Sequence, residues 1–174
     1  MANKITIEHN SAEVRATLQR LHNAVGAAGM SGAMKEIGEG LVLTTRQRFV
    51  TSTAPDGTRW APNAESTYLR LLGKSSLRKD GRINARGTAA VTGKQPLVAS
   101  GMLADTIAWQ LIDGGVEISS NRVYAAMQHF GGTKAQFPHL WGDIPARPFL
   151  GLSAEDERTV LDILDRHLLD AAKA

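Results

Sequence analysis

The segment IPARPFLGLSAED, from Ile144 to Asp156, constrains this chain more than any other. Pro145 and Pro148 fix their own φ and push Ile144 and Arg147 towards extended backbone, so the segment is a stiff connector and not a central strand. It leads into a helix starting at Ser153, with Asp156 three residues on as a capping-box acid. Val160, Leu161, Ile163, Leu164 and Leu168 give that helix a wide apolar stripe. Phe149 and Leu150 are expected across the core edge, with Arg147 projecting toward a carboxylate or a backbone carbonyl. Two roles are open to Arg147: pinning the connector to its own domain, or contacting a neighbouring subunit.

The N-terminal stretch KITIEHN alternates Ile5 and Ile7 with polar neighbours, the period of a short half-buried strand. Ser11 offers an N-cap to a helix with Val14, Leu18, Leu21 and Val25 on one face, which Gly26 and Gly29 end. A second helix is expected from about Ser31, carrying Met34, Ile37, Leu41, Val42 and Phe49, and broken between Thr51 and Pro55. Further on, Leu97, Val98, Met102 and Leu103 suggest a short helix or packed turn. Ile107, Trp109 and Leu111 then alternate as a strand, and Asp113-Gly114-Gly115 turns the chain back into Val116 and Ile118. Val123, Tyr124, Ala126, Met127 and Phe130 are helically spaced before a Gly131-Gly132 stop, and Tyr124, Met127 and Phe130 read as core.

Between these blocks the character changes. APDGTRW holds a tight-turn signal, and Leu69, Leu71 and Leu72 allow one helical turn. Arg70, Lys74, Arg78, Lys79, Arg82, Arg86 and Lys94 then face little opposing charge, among Gly and Ser and without an apolar period. Residues of about 70–95 are therefore expected to be a long, mobile basic loop inserted in a single domain spanning 1–174. It has two readings, a solvated excursion or a surface for DNA or an acidic partner. Phosphate contact would be non-specific, because only Trp60 and Tyr68, at its near end, offer stacking.

Composition closes off several classes. At 174 residues and 43% hydrophobic content, the chain suits one core. There is no cysteine, hence no disulfide, thiolate metal site or cysteine nucleophile. The polar start MANKITIEHN is not a signal peptide, and no stretch has membrane-spanning length, so no membrane partner is expected. His129, His139 and Asp143 are close in sequence but match no strong ligand pattern, and Ser100 lacks the flanks of a nucleophile elbow. No catalytic, metal or cofactor role is assigned. His129 reads as a helix-end residue whose partly positive imidazole bonds terminal carbonyls.

The ordered set Phe49 with PDG-x-x-W to Trp60, SGML at Ser100–Leu103, a hairpin, YAAMQHFGG at Tyr124–Gly132 and IPARPFLGLS at Ile144–Ser153 resembles the phage virion morphogenesis family, the tail-completion and head-assembly proteins of Mu-like and related long-tailed phages. The resemblance implies an α+β fold, a small antiparallel sheet packed by helices; the long basic loop matches no motif of the family. It also implies a structural assembly protein, not an enzyme, that joins phage head or tail proteins and copies of itself, in a ring. Such a protein would act in the host bacterial cytoplasm, with the virion as a further location. Trp60, Tyr124, His129, Arg147, Pro148 and Phe149 are then the candidates for an interface or structural motif. A basic nucleic-acid-binding module is the alternative. A free strand edge at Ile5–Ile7 or Val116–Ile118, with part of the last helix, is expected to form the repeated contact.

Overall fold

A computed structural model describes residues 15–16, 18–20, 22–23, 26 and 29–173. The expected strand at Ile5–Ile7, the Ser11 cap and the positions Val14, Leu21 and Val25 lie outside the described residues. Residues 18–20 and 22–23 are helical, as the spacing requires, and Leu18 on that stretch is exposed.

Helix α1, Ser31–Thr51, organises the rest. It is free of proline and buries Ala33, Ile37, Val42, Thr45, Arg48 and Phe49 along its length. Ser52 stops it in the left-handed region at φ 56°, its N–H returning to Arg48 O. A hairpin and the last helix both pack on α1. Strands β1, Ile107–Ile112, and β2, Gly115–Ser120, pair antiparallel with Trp109 opposite Ile118 and Ile112 opposite Gly115. The turn is therefore two residues, Asp113-Gly114, with Gly114 at φ 72°; Gly115 belongs to β2. A Cβ at Gly38 would stand 2.7 Å from the Trp109 ring, so glycine is what lets β1 lie this close to α1.

Between α1 and β1 run α2 (Glu65–Leu71), a 3₁₀ turn (Lys74–Ser76), α3 (Ala85–Thr92) and α4 (Met102–Asp105). After β2 come α5 (Ala125–Phe130) and α6 (Ala154–Lys173). The fold is α+β, a two-stranded antiparallel sheet packed by helices. One core joins Val42, Phe49, Trp60, Leu103, Ile107 and Phe149; the other joins Ala33 and Ile37 of α1 to Ile163 of α6. Burying Ile163 contributes about 2 kcal/mol. Beside it, Arg166 and His167 of α6 reach Glu36 of α1, His167 Nε2 at 3.2 Å.

Three expectations are corrected. Residues 70–95 are not free of elements: Leu77 bridges Ile83 around a turn with Gly81 at φ 80°, and Asn84 caps α3 by accepting from Gly87 N at 3.0 Å. A Cβ on Gly87 would lie 2.6 Å from Ser76 O, so this arm is built from caps and close backbone approach, which leave no apolar period to read. Tyr124 and Phe130 are not core, since α5 is short and turns only Ala125 fully inward; Phe130 is 76% exposed. Leu161 is 60% exposed, because α1 covers a narrower band of α6 than its apolar stripe offers.

Candidate functional site

The connector at residues 144–153 has no strand beside it for most of its length, yet Phe149 is fully buried at 0% exposure. Each buried backbone group there needs a partner or costs on the order of 1–3 kcal/mol. Side chains from all over the chain supply those partners, several of the motif residues among them.

Trp60 comes first. Ala54-Pro55-Asp56-Gly57 forms a turn closed by Gly57 N to Ala54 O at 2.9 Å, with Pro55 at its second position and Gly57 at φ 83°. Thr58 is held by Asp56 Oδ1, and Trp60 N then donates to Ser52 O at 2.9 Å, fixing the indole. Its Nε1 donates to Pro148 O at 2.7 Å. The ring stands edge-on to Phe49 at 5.3 Å between centroids, and Phe49 lies 5.4 Å from Phe149.

Arg147 is 6% exposed. Its Nε donates to Ala61 O at 2.8 Å and its guanidinium NH2 to Pro62 O at 2.7 Å, while its backbone N–H meets Gln128 O at 3.0 Å. The acceptors are carbonyls of its own chain, so the arrangement is local pinning: Arg147 ties the connector to the segment after Trp60 and to α5. Pro148, without an N–H, needs no acceptor partner and leaves only its carbonyl to be satisfied, by Trp60.

His129 departs from expectation. Its Nδ1 accepts from the N–H groups of Phe149 at 3.3 Å and Leu150 at 3.4 Å, so the ring nitrogen is an acceptor. Burial holds its pKa below the ordinary imidazole value, and the ring packs edge-on to Phe149 at 5.1 Å. A neutral imidazole facing two N–H donors replaces the partly positive one expected from helix position alone. Asp143, meanwhile, takes Lys134 N at 2.7 Å, and His139 lies against Phe137. Among the described residues no three histidine or acidic side chains cluster as metal ligands.

Arg48, which sequence reasoning missed, completes the clasp with Asp156, expected only as a capping-box acid. Arg48 of α1 donates to Phe149 O at 2.9 Å, to Gly151 O at 2.8 Å and to Asp156 Oδ2 at 2.5 Å. Both charged side chains are nearly fully buried. Asp156 also closes the capping box, accepting from Ser153 N at 2.9 Å while Ser153 Oγ accepts from Asp156 N at 3.1 Å. Burial pushes this carboxyl's pKa up, but bonds from Ser153 and Thr44 and the Arg48 charge prevail and hold it below the usual value. The missed signal is that Arg48 follows Leu41 by seven residues, which puts a cation on the buried face of an amphipathic helix.

SGML, α5 and the connector meet at a cleft of about 380 Å³, lined by Met102, Leu103, Tyr124, Gln128, Pro145 and Arg147. Lys94 also lines this cleft, and the other basic residues lie elsewhere: Arg70 is in the last turn of α2, Lys74 opens the 3₁₀ turn, Arg78, Lys79 and Arg82 sit at the Leu77–Ile83 tip, and Arg86 is in the first turn of α3. No described helix is long and apolar enough to cross a membrane.

No curated protein and no solved structure gives a significant match to the chain. The phage virion morphogenesis family matches residues 9–169 of the 174, a span that holds every residue of the clasp. The chain therefore belongs to the phage virion morphogenesis family, whose role is structural assembly of the phage particle.

Proposed function

We propose that this protein acts in tail completion or head–tail joining, through contacts with phage head or tail proteins and with copies of itself. The observation that carries the reading is the division of the molecule. Trp60, His129, Arg147, Pro148 and Phe149 are committed to a buried clasp that makes one body of α1, the Trp60 turn, α5 and α6. That body presents a hairpin with no further strand beside it among the described residues. Such an edge is a template for another chain. Residues 1–174 work as one domain in this reading, with the basic arm settling when a partner arrives. Repetition around an axis, each subunit offering one surface to a different surface of its neighbour, gives a closed ring. Assembly takes place in the host cytoplasm.

Electron microscopy of particles made without the protein tests the role. Separate, finished heads and tails are the expected result; normal virions would refute it. Light scattering on the full chain and on a chain lacking residues 1–9 tests the contact, and the shortened chain is expected to fold but associate less.

A further inference from the structure

Two surfaces of this chain carry opposite charge and matching apolar centres. On the arm, residues 70–94 hold seven basic side chains against Asp80 alone. Arg70, Arg78, Lys79, Arg82 and Arg86 are exposed, as are the side chains of Leu69 and of the bridged pair Leu77 and Ile83. On α6, residues 154–173 hold six acids against three bases. Glu155, Glu157, Asp162, Asp165 and Asp170 are exposed there, beside Leu161 and Leu169, both more than half exposed. Among the described residues the arm's one ion pair is Arg82 with Asp80 at 4.0 Å, and Asp156 is the one acid of α6 in an ion pair.

We infer that the basic arm of one copy docks on the acidic outer face of α6 of the next copy, a head-to-tail contact with leucine and isoleucine at its centre and a charged rim. The two surfaces differ, so the contact is heterologous and propagates into a ring or a filament. An apolar centre within a polar rim is the anatomy of protein interfaces, and the opposed charges steer and orient the encounter. Duplex DNA suits the arm less well: phosphates would pair with the cations but leave Leu69, Leu77 and Ile83 unused, and residues 69–95 contain no aromatic side chain for stacking. This contact rests on the assembly reading above and names its surfaces.

The test uses the full chain and two double variants, Arg78→Glu with Arg82→Glu on the arm and Asp162→Lys with Asp165→Lys on α6. All four positions are exposed, so folding should hold, and circular dichroism confirms it. Sedimentation over a concentration series is expected to show each variant self-associating about tenfold more weakly than the parent, as two attractive pairs turn repulsive. An equal mixture of the two variants is expected to regain assembly, because every arm then meets a helix of opposite charge, and so is a chain carrying all four changes. High salt should weaken the parent. A parent that stays monomeric, or an α6 variant that associates as the parent does, overturns the contact. So does an arm variant that loses only binding to a DNA duplex, which makes the arm a phosphate surface. Particle yield separates this failure from that of the assembly role: virions lost on deletion of the protein but normal with both variants remove the contact and keep the role.

Discussion

Replacing Arg48 by methionine is the sharpest test of the clasp. The change keeps an unbranched side chain of good helix propensity in α1, so helix formation is little affected. What it removes is three partners at once: Phe149 O, Gly151 O and Asp156 Oδ2 lose donors at 2.9, 2.8 and 2.5 Å. Asp156 keeps its bonds from Ser153 but becomes a buried carboxylate without its cation. Breaking one side of a buried pair costs about 3–5 kcal/mol, and the orphaned carbonyls place this site at the upper end. In a chain of 174 residues that lowers Tm by roughly 6–20 °C. Urea unfolding followed by circular dichroism reads the loss, for parent, Arg48→Met, Asp156→Asn and the double variant. Asparagine at 156 still accepts from Ser153 N, so the cycle isolates the charge pair, and the double variant should cost about 2 kcal/mol less than the two singles together. An Arg48→Met protein within about 1 kcal/mol of the parent, or singles that simply add, would refute the argument.

Arg147→Lys should lose about 2 kcal/mol, since an ammonium on a flexible stem cannot hold the carbonyls of Ala61 and Pro62 in the fixed fork seen here; unchanged urea stability with impaired partner binding would instead make Arg147 an interface residue. Gly131→Ala should cost about 3 kcal/mol or more, because φ 73° with ψ −178° suits glycine alone and a Cβ there would lie 2.6 Å from Ala146 N; thermal denaturation checks it. The lowered pKa of His129 means that the unfolded chain takes up a proton first as pH falls, so stability is full above about pH 6.5 and is lost below it towards the folded value; His129→Asn, which keeps an acceptor near the Phe149 N–H, should flatten stability measured between about pH 7 and 5. Trypsin should make its first internal cut at Arg78, Lys79 or Arg82 on the exposed arm tip, read by mass spectrometry, whereas a first cut between residues 153 and 172 would contradict the picture of a clasped α6.

What was legible in the sequence is what depends on neighbouring residues. The limits of α1, the Asp113-Gly114 turn, the glycine stop at Gly131 and the Ser153–Asp156 box are each set by side chains within one turn or one hairpin of the backbone they act on. Two prolines likewise announced an extended connector, because their effect on φ is intrinsic. The arm resolves differently: Asn84, Gly81 and Gly87 were present as letters, but a cap and a close approach leave no period when the apolar contacts are few. Tertiary structure alone decided the rest. Arg48 and Asp156 stand 108 residues apart in the chain, and Trp60 lies 88 from the carbonyl that holds it. Burial lowers the pKa of His129, and a segment 20 residues away turns its N–H groups toward the ring. A buried stretch without a strand partner must draw its hydrogen bonds from wherever the fold brings donors and acceptors, and that choice is made by contact in space, which no local pattern encodes.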